Sequence, residues 1–513
     1  MNRERKIIKW DAVICLLYLA AAVFAAFFRE LINTDEVWNF TFALNISKGL
    51  LPYRDFNYLQ TPLPALINGI LFCIFGRHIL VMRLAGAALF AAIGALLYKS
   101  GRLLGADRIL AALPGFGVIM MFSTNIFFEY SDFILFLLLT LMGIDLAAAA
   151  RGRISQPTAL FASGILGGMA VLSKQTYGLF TAAASLVSLF ILCLFLGKGV
   201  REAFRAAFFR LAGLLIPCLA FLIYLLASGT FDDFLDMCLY GISNFTAYYH
   251  YRGLFEEGPA FAAAAALMPA CLALGAVFAI WRLARSRARS RSGILMLIIL
   301  VYSCFGMINM VPLANKFHFE ICSVPVMLAA ILLYVQALAA GRGVRARKIR
   351  AFFRRIVSIA AFMANAAILF YILIYNTYDI SRNLEFHTDI ACFEGTFMGN
   401  ALAGEIDEVD RFVEAERAQG HEVFVLDNKA EFYLAPLGIY HKYLDMFLNG
   451  NLGTVEPGQC LERSRRPGAV YLIPRRGRSN TQYPREAVEE FKNTLTPSGS
   501  LGDFEIYRVS GWQ

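Results

Sequence analysis

Charge is what this chain has least of. Asp, Glu, Lys and Arg make up 17% of its 513 residues and apolar types 58%, against roughly 25% charged in soluble proteins. So few charges cannot cover a water-facing surface of this size, which excludes a soluble globular protein. Histidine is rarer still, with six residues, and the ten cysteines fall at no metal-site spacing. Most of the cysteines sit in or beside apolar runs, where a thiol behaves as a small hydrophobe. Cys392 and Cys460 lie beyond the last run, where a disulfide and two separate thiols both stay open. The tail from Tyr378 onward has no glycine-rich phosphate loop, no nucleophile elbow and no metal-spaced His or Cys, so a cap or partner surface is expected there rather than a second active site. No internal repeat is visible, and such repeats are a common mark of secondary transporters. No cleavage signature follows the basic flank "MNRERKIIKW", so the first apolar run is expected as a retained helix.

What the chain has in quantity is long apolar runs. Segments of about 18 to 22 residues, enough to cross a roughly 30 Å hydrocarbon core as helices, recur from Asp11 to Tyr375 and then stop. They predict eleven helices, at 11–29, 79–102, 108–123, 131–150, 158–173, 177–196, 211–228, 259–281, 293–311, 319–340 and 356–375. The expected fold is therefore an α-helical polytopic membrane domain over residues 1–375 and a small soluble α/β domain over 376–513. In the tail, "EIDEVDRFVEAERAQG" reads as a helix, and "HEVFVLD", "AVYLIP" and "GDFEIYRVS" read as strands.

The net charge of +9 does not point to nucleic acid, because its Lys and Arg gather in alternate gaps between runs. Clusters such as "RLARSRARSRS" and "GRGVRARKIRAFFRR" mark cytoplasmic loops by the positive-inside rule. That alternation predicts a cytoplasmic N-terminus and an exoplasmic C-terminal domain, in a plasma or inner membrane.

The gaps assigned to the exoplasmic side hold most of the chemistry-bearing residues. The first begins with "LINTDEVWNF", where Asp35 and Glu36 follow the first run directly, and continues through Arg54, Asp55 and Tyr58. Two of its segments, "VWNFTFALNISKGL" and "PALINGILFCIFG", are too short to span and suit helices on the membrane surface. A later gap carries "NFTAYYHYRG", with Tyr249, His250 and Arg252. Shorter gaps hold Glu129 and Asp132, then Lys174, then Lys316, His318 and Glu320. Simpler roles stand beside functional ones. Lys174 is placed to meet a helix dipole, Lys316 and His318 to anchor at the interface beside Phe317 and Phe319, and Arg54 and Asp55 to pair with each other.

The order Asp35–Glu36, then Gly49, Pro52, Tyr53 and Asp55, then "TPLP", then an apolar run ending at Phe75 and Gly76, then "VMRLAGAALF", resembles a known family. It is similar to the membrane-integral type C glycosyltransferases, in the branch of protein O-mannosyltransferases and the lipid A aminoarabinose transferase. "EYSDFILFLLL", "GILGGMAVLSKQTYG" and "NKFHFEICSVP" extend the resemblance over residues 1–340. The chain departs from the family in reading "TPLP" where many relatives have adjacent prolines, and in its lower helix count.

The resemblance implies transfer of a sugar from a polyprenyl-phosphate donor to a glycan, lipid or protein acceptor of the cell envelope, at the exoplasmic face. Asp35 matches the family's catalytic aspartate and Glu36 its acidic neighbour, so Asp35 is expected to act as general base. A departing phosphate needs cations, for which Lys174, Arg252, Lys316 and His318 are candidates. Arg54, Asp55, Tyr58, Tyr249 and His250 are further candidates for substrate contact. Direct displacement would invert the anomeric centre. A divalent metal is compatible with the sequence without being required, since Asp35 and Glu36 cannot supply a full oxygen shell. The competing readings are a transporter or flippase of a lipid-linked substrate, a glycan ligase or polymerase, and a non-catalytic scaffold.

Overall fold

The computed structural model describes residues 2–241, 250–286, 290–311, 313–339, 344–380, 384–387, 390, 392–475 and 482–509. The chain forms two compact units, each drawn from separate stretches of sequence. One comprises Met1–Ala26, Leu84–Phe221 and Tyr248–Asn376; the other comprises Phe27–Arg83, Leu222–Ala247 and Thr377–Gln513.

The first unit is helical. Its elements are α1 (Asn2–Phe28), α4 (Ile79–Leu103), α5 (Arg108–Met121), α6 (Tyr130–Arg151), α7 (Pro157–Val171), α8 (Gln175–Phe195), α9 (Gly199–Ser228), α11 (Pro259–Arg285), α12 (Arg291–Gly306), α13 (Lys316–Ala339) and α14 (Val344–Ile380), the outer turns of α1, α4, α9 and α14 reaching into the second unit. Among the described residues nine helices are long and apolar enough to cross a membrane. All eleven expected segments are helical, but α5 and α7 are shorter apolar helices and the count of eleven spans is not reached by length. Close packing here depends on small residues. A Cβ on Gly178 of α8 would lie 1.9 Å from the Ala170 carbonyl oxygen of α7, so only glycine lets that hairpin close.

Charge also lies inside this bundle. Arg210 of α9 donates from Nη2 to Asp145 Oδ1 of α6 at 2.8 Å and from Nη1 to Oδ2 at 3.2 Å. The Tyr302 hydroxyl of α12 donates to the same carboxylate at 2.8 Å, and Arg210 further donates to Ser163 Oγ and the Ser185 carbonyl. Both charged side chains are about 1% exposed, so the pair is neutralised on site and its donors are engaged.

The second unit contains α2 (Thr34–Ser47), α3 (Leu63–Phe75), the short α10 (Phe231–Leu235), α15 (Asn400–Ala418), α16 (Ala430–Leu434), α17 (Pro457–Ser464) and α18 (Arg485–Lys492). A hairpin pairs β1 (Leu384–His387) with β2 (Thr396–Gly399), antiparallel. The larger sheet has the order β3 (Glu422–Val425), β4 (Ala469–Pro474), β6 (Phe504–Arg508), β5 (Thr496–Leu501). β3 and β4 are parallel and need the crossover that α16 and α17 supply, while β4, β6 and β5 are antiparallel. The expected helix and three strands of the tail are all present, as α15, β3, β4 and β6. α15 buries Ala403, Ile406, Val409 and Val413, the three-and-four spacing of one helical face.

The first loop belongs to this same unit. The Leu31 N–H donates to the Phe397 carbonyl at 2.7 Å and the Asn57 amide to the Asn451 carbonyl at 2.7 Å, while the Tyr443 N–H donates to Asn57 Oδ1 at 3.1 Å. α2 buries Val37, Phe40, Phe42 and Leu44 in protein. α3 instead leaves Leu66, Ile70 and Ile74 exposed along one stripe, the surface expected of a helix lying against lipid. Cys392 and Cys460 are both buried and both free thiols.

Candidate functional site

The paired acid opens α2. Asn33 stands in extended conformation just before the helix, and its side-chain oxygen accepts the Asp35 N–H at 2.9 Å, a side-chain cap that fixes where the helix begins. Asp35 and Glu36 therefore fall in the first turn, where the helix dipole favours carboxylates. One residue apart on a helix, their side chains point in directions about 100° apart.

Glu36 points inward and is fully buried. Arg83 grips it with both arms, Nε to Oε1 at 2.7 Å and Nη2 to Oε2 at 3.2 Å, and Arg29 forms a second ion pair with Oε1. Arg83 also donates to the Arg29 carbonyl at 3.2 Å. Burial alone would raise the Glu36 pKa, but the two guanidiniums outweigh it and hold the carboxylate below its ordinary range.

Asp35 has the opposite surroundings. Its residue is exposed, and among the described residues no ion pair or side-chain hydrogen bond engages its carboxylate. The surrounding protein mass removes part of its hydration and raises its pKa, with no cation to offset that. The Asn39 side-chain amide donates to the Asp35 backbone carbonyl at 2.7 Å, leaving the carboxylate uncommitted.

The rest of the first-loop candidates serve the loop. Arg54 and Asp55 pair through Nε to Oδ1 at 2.8 Å and Nη2 to Oδ2 at 3.1 Å. Asp55 Oδ2 also accepts the Leu51 N–H at 2.7 Å, closing a tight turn in which Tyr53 takes a φ of 70°. The Arg54–Asp55 pair is half in solvent, and the Lys442 ammonium donates to the Arg54 carbonyl at 2.9 Å. Tyr58 is a core residue, 1% exposed and edge-on to Phe42 at 4.8 Å.

The cationic candidates lie in the helical unit and divide into two sets. Lys174 precedes α8 with its ammonium 4.4 Å above the Tyr130 ring, a cation–π contact. Burial lowers its pKa to about 8, opposed by the nearby Glu129 carboxylate. Glu129 and Asp132 are buried at the start of α6, and Lys174 also acts electrostatically on His318 at the start of α13. The His318 N–H donates to Asn315 Oδ1 at 3.0 Å and its ring Nδ1 lies 2.7 Å from the same oxygen. Lys174, Tyr130, Glu129 and His318 thus form one cluster. Lys316 points elsewhere, 4.8 Å from the Phe261 ring. His250, just before the short 3-10 helix that begins at Tyr251, and Arg252 within it are both exposed, and no contact among the described residues brings them to Lys174. Tyr249 lies outside the described residues. No three His, Cys, Asp or Glu side chains among the described residues converge as a metal set.

Sequence reasoning overlooked the two arginines that hold Glu36. Arg83 stands in "VMRLAGAALF", and an arginine in so apolar a run demands a partner; that was the available signal. Asn57 carried none, since its partners lie 383 to 394 residues away.

No protein-family model matches the sequence, and no curated protein is similar to it in sequence. Solved structures are similar in fold. ArnT from Cupriavidus metallidurans, in a structure bound to undecaprenyl phosphate, superposes with a TM-score of 0.57 at 15% identity, covering 98% of this chain and 99% of that one. The archaeal oligosaccharyltransferase AglB from Archaeoglobus fulgidus, in complex with an inhibitory peptide and a dolichol-phosphate, gives 0.52 at 12% identity over 83% of this chain and 63% of that one. The arabinofuranosyltransferase AftD from Mycobacteria gives 0.51 at 13% identity over 98% of this chain and 40% of that one. The chain is an integral membrane protein with the type C membrane glycosyltransferase fold.

Proposed function

We propose that the protein is a glycosyltransferase that moves a sugar from a polyprenyl-phosphate donor to a cell-envelope glycan, lipid or protein acceptor at the exoplasmic membrane face, with Asp35 as general base. The observation that carries this reading is the divergence of two adjacent carboxylates. Glu36 is held ionised and saturated by Arg29 and Arg83, while Asp35 is uncommitted and has its pKa raised. Neighbouring acids pushed in opposite directions mark a division of labour. Glu36 is then a positioning residue that locks the first turn of α2, and Asp35 is the group that meets substrate.

In the proposed reaction Asp35 removes the proton of the acceptor hydroxyl or amine as that atom bonds to the anomeric carbon. The anomeric carbon–oxygen bond to phosphate breaks on the opposite side, its electron pair leaves with the polyprenyl phosphate, and the configuration inverts. A positioned base of this kind contributes about 10²- to 10⁴-fold. On the sequence resemblance alone, Lys174 remains a candidate cation for the donor phosphate. Its reduced pKa of about 8 still leaves it mainly cationic at neutral pH.

Undecaprenyl phosphate and dolichol-phosphate in ArnT and AglB support a lipid-phosphate donor. The flippase reading requires ionisable groups free along a path through the bundle, and the buried Asp145 and Arg210 are consumed by each other. The test is turnover of a panel of polyprenyl-phosphate sugars by the purified protein in lipid, in wild type and Asp35→Asn. One donor is expected to be consumed by the wild type and bound but not consumed by the variant. Equal consumption by both would remove Asp35 from the chemistry, and no consumption of any donor would remove the enzyme reading.

A further inference from the structure

A second constellation lies wholly within the helical unit, at the membrane end opposite the start of α6, α8 and α13. The C-terminal ends of α4, α11 and α13 and the N-terminal end of α12 surround a cavity of about 620 Å³. Three arginines line it, Arg282, Arg285 and Arg291, and none of its lining residues is acidic. No ion pair to any of the three occurs among the described residues. Arg282 donates from Nε to Ser292 Oγ at 3.0 Å, which orients it without neutralising it.

The pocket also receives the start of a 16-residue helix. Ser290 caps α12, accepting the Gly293 N–H at 3.3 Å, so the positive end of the helix dipole adds to the three arginines. The remaining wall is apolar, with Leu103, Leu295 and Leu332. Trp281, 48% exposed, lies 5.8 Å from both the Arg282 and Arg285 guanidiniums. An exposed tryptophan flanked by arginines at a helix end is the signature of the membrane–water interface. Positive charge with no counterion among the described residues, a helix N-terminus and an aliphatic wall at interface depth define a site for an anion that is attached to a lipid.

We propose that this pocket binds the phosphate headgroup of an anionic phospholipid from the adjoining leaflet, with its acyl chain along the leucine wall. The inference goes beyond the glycosyltransferase reading and does not depend on it. The experiment is native mass spectrometry of the full chain titrated with phosphatidylglycerol or with phosphatidylcholine, in wild type and in Arg285→Gln/Arg291→Gln. The first phosphatidylglycerol is expected to bind the wild type about tenfold or more tightly than phosphatidylcholine, and the double variant is expected to lose that preference. Equal binding of the two lipids by the wild type would overturn the proposal, and that comparison needs no variant to fold. A helical, monodisperse double variant that keeps the full preference would overturn it as well, by placing the lipid elsewhere. Inorganic phosphate is the third probe, and displacement of the lipid at equimolar concentration would reassign the pocket to free anions.

Discussion

Asp35 and Glu36 are covalent neighbours in one helical turn, yet they face different solvents. Glu36 faces two arginines and Asp35 faces no cation, and the chemistry assigned to each follows from that. As a base Asp35 works only when ionised, so the acid limb of a kcat/KM profile is expected above the ordinary aspartate value of about 3.9. The same raised pKa has a consequence for stability. A folded pKa above the unfolded one means that the protonated form favours the fold, a contribution present below the unfolded pKa and lost as pH rises through the folded one. At neutral pH the ionised Asp35 therefore opposes folding slightly, and Asp35→Asn is expected to abolish transfer while holding or raising the melting temperature in lipid. A lowered melting temperature would make Asp35 structural and undo its assignment as base. The presence of the acid pair after the first apolar run was legible in the sequence. Which of the two is free was not, because that depends on Arg29 and Arg83 reaching Glu36 from either side of α2's start.

At the level of helices, α6, α9 and α12 are joined by the Asp145–Arg210–Tyr302 network inside an otherwise apolar bundle. Removing one partner leaves the other as an uncompensated buried charge. Arg210→Met is expected to cost about 3–5 kcal/mol, and Asp145→Leu/Arg210→Met to recover most of that loss. Unfolding in detergent measured for the single and double variants checks this, and a double variant no more stable than the single one would refute it. The helices themselves were legible from hydropathy, and Asp145 stands in the apolar run of α6 as a charge that calls for a partner. That partner was not legible, since the ion pair joins residues 65 apart and the basic cluster that contains Arg210 reads as an ordinary loop flank. The segments expected at α5 and α7, 108–123 and 158–173, were already the shortest of the eleven, and the helices end two residues earlier, at Met121 and Val171.

At the scale of the whole molecule, the unit that carries Asp35 is assembled from the first loop, a short middle stretch and the C-terminal residues. Its tail contains a charge switch of its own. His441 is held between Asp445 and Glu422, with Asp445 Oδ1 at 3.2 Å from Nδ1 and Glu422 Oε1 at 3.4 Å from Nε2. Burial pushes the His441 pKa down, but the two carboxylates outweigh it and raise it to about 9. The stabilisation this provides is complete below the ordinary histidine value of about 6.5 and is lost as pH rises through about 9. The protection factors of β3 and β4 against hydrogen exchange, corrected for intrinsic rates, are expected to fall across that window in the wild type and to stay flat in His441→Gln. A flat wild-type profile would mean that the imidazole carries no linked charge. What the sequence determined by itself was whatever is local: the apolar runs, the alternation of basic gaps, the strands and helix of the tail, and the acid pair placed at the end of the first run. Only the tertiary structure decided which carboxylate is locked, that Lys174 shares a cluster with Glu129 and His318 while Lys316 and Arg252 do not, and that the tail folds onto the first loop through Asn57. Hydropathy is a sum over neighbouring residues and survives any packing, whereas ionisation and hydrogen bonding depend on atoms brought within a few ångströms from distant parts of the chain.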